Sequence, residues 1–495
     1  MVMDNQSPLL TLVILITLIL TFILNSWARK PSKLPPGPFP WPIIGNILSL
    51  GPKPHQSLAR LAQKHGPVMS LKLGAMTTVV ISSPETARVV LQQHDLTFSS
   101  RKIPATGRTL GQDEFSITWL PVGGLWRKLR KICREQMFSS PRLDASAGLR
   151  REKLGQLHDF VALCCDSGRA VDVGEVAFVT SLNLMSATLF SKEFAGFGSG
   201  SSHEVRELVT GAMRCLGRSN LVDFFPILKW IDPQGIQRDA EYYYGKLFEI
   251  CDGIVEKRIR QFTGEKDDLL QALVDLHHKG DMSITDIRNI LPELLVAGSD
   301  TTSSTVEWAM AELLRNPLKL TTLRNEINRE IGARLVQESD IPRLPYLRAV
   351  VKETLRLHPI LPFLVPREAN TDVEVNGYIV PKGAQVLVNI WSTGRDPNVW
   401  PKADVFWPER FLGDSEVDFK GKYFELIPFG SGRRMCPGMP LANRMLHLMI
   451  ATLAGSFGWR LEGGVQPGEL DMDEKFGLSV EKAEPLKAVP VDVRS

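Results

Sequence analysis

Hydrophobic and polar positions along this chain fall into a long uncharged opening, a few short alternating runs and many stretches of helical period. From Asn5 to Ala28 there is no charge, and Leu9 to Leu24 is almost wholly Leu, Ile, Val, Phe and Thr. With Pro8, Asn25, Ser26 and Trp27 at its borders, this predicts one membrane-spanning helix. A cleaved signal peptide fits less well: Asp4 is the only charge before the run, Arg29, Lys30 and Lys33 follow it, and no small-residue cleavage site is evident. The positive flank places the C-terminal bulk in the cytosol. Pro31 to Pro42, PSKLPPGPFPWP, then predicts a stiff, extended spacer, because six prolines exclude both helix and central strand.

Val68 to Leu73 and Thr77 to Ser82 alternate or run β-branched around Gly74 and Ala75, which predicts a hairpin. Pro84 to Gln93 predicts a short helix. Arg101 to Gly124 has little periodicity and many prolines and glycines, so it reads as a long loop. Leu125 to Met137 predicts a basic helix with Trp126 and Arg130 on one face. Leu149 to Phe262 is mainly helical in pattern, broken by the Gly196 to Ser202 loop. Within it, Leu221 to Ile231 is strongly apolar and suits either a membrane surface or the core. Thr285 to Arg315 predicts one long helix, stopped by Asn316 and Pro317. Val373 to Ile379 and Ala384 to Val388 are hairpin material, with a turn signal at Asn376 and Gly377.

Composition changes this picture little. Over 495 residues, 43% hydrophobic and 23% charged are ordinary globular values, and a net charge of +3 argues against a nucleic-acid partner. The six cysteines are irregularly spaced, which speaks against a disulfide framework or zinc site and for a reducing compartment.

One cysteine stands apart. In PFGSGRRMCPGMPL, Pro428 to Leu441, Cys436 precedes an apolar helical run, so free amide N–H groups and the helix dipole would favour a thiolate. Gly432 and Gly438 would allow positive φ or close approach to a flat macrocycle. Arg434 would pair with an acidic group on it, and Phe429 would shield the sulfur from water. In the long helix, Ala297 to Thr302 interrupts the apolar stripe. Gly298 costs helix stability and invites a local widening, while Asp300 and Thr301 place an acid and a hydroxyl where core is expected. A threonine there also bonds readily to its own helix backbone. Glu353 and Arg356 sit three apart on an apolar helix, and a buried pair of this kind needs a third partner.

The stretch around Cys436 resembles the haem-binding signature of the cytochrome P450 family, FxxGxRxCxG, at every fixed position, and Ala297 to Thr302 resembles its oxygen-activation motif. The resemblance runs the length of the chain, and is strongest to plant terpenoid hydroxylases of the geraniol hydroxylase and ferruginol synthase group. It implies a mainly α fold with minor β-sheet: an anchor over 1–30, a proline-rich hinge over 31–42 and a haem-thiolate monooxygenase domain over 43–495. It implies haem b with iron held by Cys436, O2, and electrons from NADPH through a membrane-bound reductase. Trp126, Arg130 and Arg367 become haem-propionate partners beside Arg434, and Phe429, Gly432 and Gly438 haem contacts. Asp300 and Thr301 become the oxygen-side pair serving proton delivery. Arg410 in Pro408 to Phe411 completes a structural triad with Glu353 and Arg356. Ile360, Leu361, Phe363, Leu364 and Val365 line the substrate pocket, and Phe476 to Val480, with Leu478, forms a last substrate loop. The implied location is the endoplasmic reticulum membrane, facing the cytosol, and the implied substrate a small lipophilic mono- or diterpenoid.

Overall fold

The computed structural model describes residues 13, 14, 17, 33–260 and 268–492. The predicted anchor over 1–30 therefore lies outside the described residues, apart from Val13, Ile14 and Thr17, which are helical. From Lys33 the proline-rich segment is extended, as its composition requires, and it lies on the body of the protein rather than standing off it. Ser70 donates to the Pro35 carbonyl from its hydroxyl (2.6 Å) and to the Pro36 carbonyl from its amide (2.8 Å).

The predicted hairpin is strands β1 (Val68–Leu73) and β2 (Met76–Ile81), antiparallel with Val68 opposite Ile81. It opens a five-stranded sheet with β3 (Ser100–Arg101), β4 (Arg367–Glu368) and β5 (Gln385–Val388), in the order β1-β2-β5-β4-β3. The Asn376–Gly377 turn forms as predicted, both residues at positive φ, but it joins Val373–Val375 to Tyr378–Val380. Gln385–Val388 leaves that hairpin and runs parallel to β2 instead. Its buried Val386, Leu387 and Val388 match the apolar run of β2, where two faces are covered.

Helices make up most of the rest: α1 (Gly124–Cys133), α2 (Val173–Phe190), α3 (Gly200–Gly217), α4 (Ile236–Arg260), α5 (Ile284–Arg315), α6 (Pro345–Leu357) and α7 (Met439–Ser456). Among the described residues only α2 is long and apolar enough to cross a membrane, and it is core: nearly every side is buried. Helix α5 is the axis of the molecule. Ser283 and Asp286 cap it reciprocally, and it runs unbroken through Pro292 and Gly298. No widening occurs at Gly298; a Cβ there would lie 2.7 Å from Met185 Sδ on α2, so glycine serves close helix packing. The predicted long loop, 101–124, contains two short helical segments, Ala105–Gly111 and Gln112–Phe115. Their proline and glycine content hides any period, and part of what holds them comes from α5, far away in sequence.

Candidate active site

A cavity of about 330 Å³ lies between α5, α2 and α4 on one side and the Cys436 loop with the start of α7 on the other. Cys436 lies deep in the protein, yet much of its surface is accessible, because that surface faces this cavity. Its amide donates to the Phe429 carbonyl (2.9 Å), and Gly430 and Gly432 turn the chain at φ +74° and +70°. A Cβ on Gly432 would collide with the Leu91 carbonyl oxygen and sit 2.8 Å from Asp95 Oδ1. Gly438 has an ordinary φ of −80°, so its role is closeness to the cavity rather than unusual backbone. Burial pushes the Cys436 thiol pKa up, against the sequence expectation of a lowered one. The Gly438 and Met439 amides and the Arg130 charge pull it back. Burial wins while the sulfur is only a thiol; a coordinated metal would deprotonate it outright.

Four arginines converge on one wall. Arg434 donates to the carbonyls of Ser99 (2.8 Å), Ile117 (3.3 Å) and Leu120, and its guanidinium sits 4.8 Å from the Trp126 ring centre. Trp126 donates Nε1–H to the Ile117 carbonyl (3.1 Å), with Arg130 5.6 Å from its ring. Arg367, on β4, reaches the Phe98 carbonyl (3.1 Å). The fourth, Arg101 on β3, was not singled out from the sequence. It donates to the Val365 carbonyl (2.6 Å), and its buried Nε has no partner. Burial pulls the pKa of each down, Arg367 and Arg434 to about 10, and neighbouring guanidiniums add to this for Arg101 and Arg434. Among the described residues no carboxylate pairs with any of the four. A buried wall of unpaired cations calls for an anion from outside the chain. The two carboxylates of haem would meet that requirement, and Cys436 lines the same cavity.

On the opposite wall, Thr301 lines the cavity and its hydroxyl donates to the Ala297 carbonyl (2.8 Å). Asp300 does not line it. Its carboxylate accepts from the Ser479 hydroxyl (2.9 Å), in the turn between the paired Glu474–Lys475 and Glu481–Lys482, and burial with the Glu481 charge pushes its pKa up to about 7. The two residues are chain neighbours about 100° apart around a helix, so only one can face the cavity squarely. Ile360, Leu361, Leu364, Val365 and Leu478 all line it, but Phe363 points into a second cavity of about 190 Å³, among Leu50, Leu58 and Leu387. Sequence reading also passed over Glu293 on α5, a buried carboxylate on the cavity wall.

Outside the cavity, Glu353 and Arg356 are fully buried on α6. Arg356 forks onto Glu353 (2.7 and 2.8 Å), and Arg410 Nε (3.2 Å) and the Trp407 amide (2.6 Å) complete the carboxylate's partners. The carbonyls of Gly394, Ala403 and Val405 take the remaining Arg356 donors.

The family model described as Cytochrome P450 matches residues 35–486. The chain is 50% identical to geraniol 8-hydroxylase of Catharanthus roseus over 493 residues, 99% of each chain. It is 48% identical to ferruginol synthase of Isodon rubescens over 480 residues, 95% of this chain and 97% of the relative. With sugiol synthase of Salvia miltiorrhiza it shares 46% over 471 residues, 94% and 95% of the two chains.

Proposed function

We propose, from the premise that the chain belongs to the cytochrome P450 family, that it hydroxylates a lipophilic plant terpenoid, an abietane-type diterpenoid or a monoterpenoid. Membership makes it a haem-thiolate monooxygenase that uses O2, NADPH-derived electrons from a reductase and a lipophilic substrate. The observation that carries the finer reading is the pairing of an apolar cavity with relatives, similar along nearly the whole chain, whose names carry geraniol, ferruginol and sugiol. When bound, haem supplies the activated oxygen that attacks a C–H bond. The chain's own residues divide the remaining work. Cys436 would ligate the iron; Trp126, Arg130, Arg367, Arg434 and Arg101 would hold the propionates; Phe429, Gly432 and Gly438 would let the loop lie close to the ring.

On the oxygen side, Thr301 presents its hydroxyl to the cavity, and Asp300, held near neutral pKa by burial, exchanges protons behind it. Ile360, Leu361, Leu364, Val365 and Leu478 shape the apolar pocket. Glu353, Arg356 and Arg410 brace the haem side of the fold. An anchor over 1–30 would hold the protein on the endoplasmic reticulum membrane, and an exposed apolar face supports that reading. Ile227 (84% exposed), Trp230 (92%) and Ile231 belong to that face, and their segment meets the β1–β2 turn where Ala75 donates to the Phe224 carbonyl (2.8 Å). Phe39, Trp41, Ile43 and Leu48 add to it. The test is product formation from a panel of mono- and diterpenoids in microsomes carrying a reductase, read by mass spectrometry. An oxygenated product that needs both NADPH and O2 is expected. Product without either cofactor, or turnover of non-terpenoid lipophiles alone, overturns the reading.

A further inference from the structure

Glu293 sits on the cavity side of α5, and among the described residues no cation pairs with it. Instead it accepts three hydrogen bonds from one short loop: the Ser116 hydroxyl (2.8 Å), the Ile117 amide (2.9 Å) and the Thr118 amide (2.9 Å). One helical turn earlier, Asn289 Oδ1 accepts from Gln112 Nε2 (2.5 Å). The long helix thus grips loop 112–120 at two points. The Ser116 hydroxyl passes the grip on, since it accepts from the Trp119 amide (3.3 Å) while donating to Glu293.

The gripped loop has two outputs. Trp119 is buried and belongs to the walls of both cavities, as do Leu216, Leu364 and Leu478, so it forms part of the partition between them. The carbonyls of Ile117 and Leu120 accept from Trp126 and Arg434. Three N–H or O–H donors turned onto one carboxylate are charge-assisted bonds, stronger than neutral ones and expensive to leave unmade.

We propose that Glu293 is a positioning residue of the substrate cavity: by holding loop 112–120 from α5, it fixes the Trp119 partition and the carbonyls that seat Trp126 and Arg434. Glu293 touches none of the reacting atoms in this role. Its effect is to set the width of the cavity and to keep the loop from breathing into it. The inference goes beyond the terpenoid reading, because it holds whatever lipophile the cavity receives.

Glu293→Gln tests it in the full-length, haem-loaded protein. Glutamine keeps one acceptor and turns the other into a donor, so at least one loop donor loses its partner. Hydrogen exchange at the Ile117 and Thr118 amides is expected to speed up by about tenfold, the cost of one such bond. Binding of two probes separates positioning from general damage. Imidazole needs only the iron, whereas 4-phenylimidazole needs the cavity wall as well. The variant should bind 4-phenylimidazole about tenfold more weakly and imidazole within about twofold of the parent. Ser116→Ala, which removes one donor and leaves the carboxylate, should shift the same two readings by about threefold; it decides the matter if Glu293→Gln does not fold. Unchanged exchange at 117 and 118, or equal weakening of both probes, overturns the proposal.

Discussion

Replacing Glu353 by Gln makes the sharpest test of how the haem side is braced. The carboxylate is fully buried and accepts the Arg356 fork, the Arg410 Nε and the Trp407 amide. The amide of glutamine removes the charge and turns one accepting oxygen into a donor. Whichever way it is turned, at least one guanidinium N–H then faces another N–H. Two guanidiniums remain buried with no counter-charge, since the other partners of Arg356 are neutral carbonyls. Breaking a buried pair from one side costs about 3–5 kcal/mol, against a total stability of about 5–15 kcal/mol for a folded domain. The variant should therefore unfold at much lower urea concentration and yield little of the thiolate-type carbon monoxide spectrum. Arg410→Lys is the control. It gives up one 3.2 Å bond to Glu353 and loosens three carbonyl contacts, to Pro401, Lys402 and Val405, for a loss of about 1–2 kcal/mol. An unchanged urea midpoint and full spectrum in Glu353→Gln, or greater damage in Arg410→Lys, would show that the triad does not brace the fold as argued.

Cys436→Ala should abolish the thiolate-type carbon monoxide band even where some haem is retained; its persistence refutes the ligand assignment. Gly432→Ala forces a side chain into positive φ against the Leu91 carbonyl, and should lower haem incorporation several-fold at equal expression, measured as the haem-to-protein ratio. Asp300 offers a pH test. Its folded pKa is raised to about 7, so between its unfolded value and that point the native state holds a proton the unfolded chain has released. Stability from this group is present at low pH and lost as pH rises to about 7. Asp300→Asn removes the dependence, so its urea midpoint relative to the parent should climb from pH 5 to pH 7 and level off above. A constant difference across that range contradicts the buried-acid assignment.

The haem side of this protein was legible because its signals are local in sequence. Cys436, Gly432, Arg434 and Phe429 lie within ten residues, and the spacing alone reports a turn into a helix. Glu353 and Arg356 share a helix face, and only Arg410 had to be supplied by resemblance. The rest of the site is different in kind. Arg101 lies in a stretch without period, and what marks it is being buried beside Arg130, Arg367 and Arg434, which come from three other segments. Glu293 looks like any acid on a long helix until the fold brings Ser116 to it across 177 residues. Asp300 and Thr301, adjacent in the chain, diverge because a helix turns each residue by about 100°; one faces the cavity and the other meets Ser479, 179 residues later. Phe363 shows the same limit at shorter range. Inside an oily run every residue looks like lining, yet the positive φ of Leu364 bends the chain there. The backbone turn then sends Phe363 into the second cavity, away from Ile360, Leu361 and Val365. Chemistry written as a short motif can be read before folding, whereas the shape of a pocket, and with it the choice of substrate, is decided by which distant segments the fold brings together.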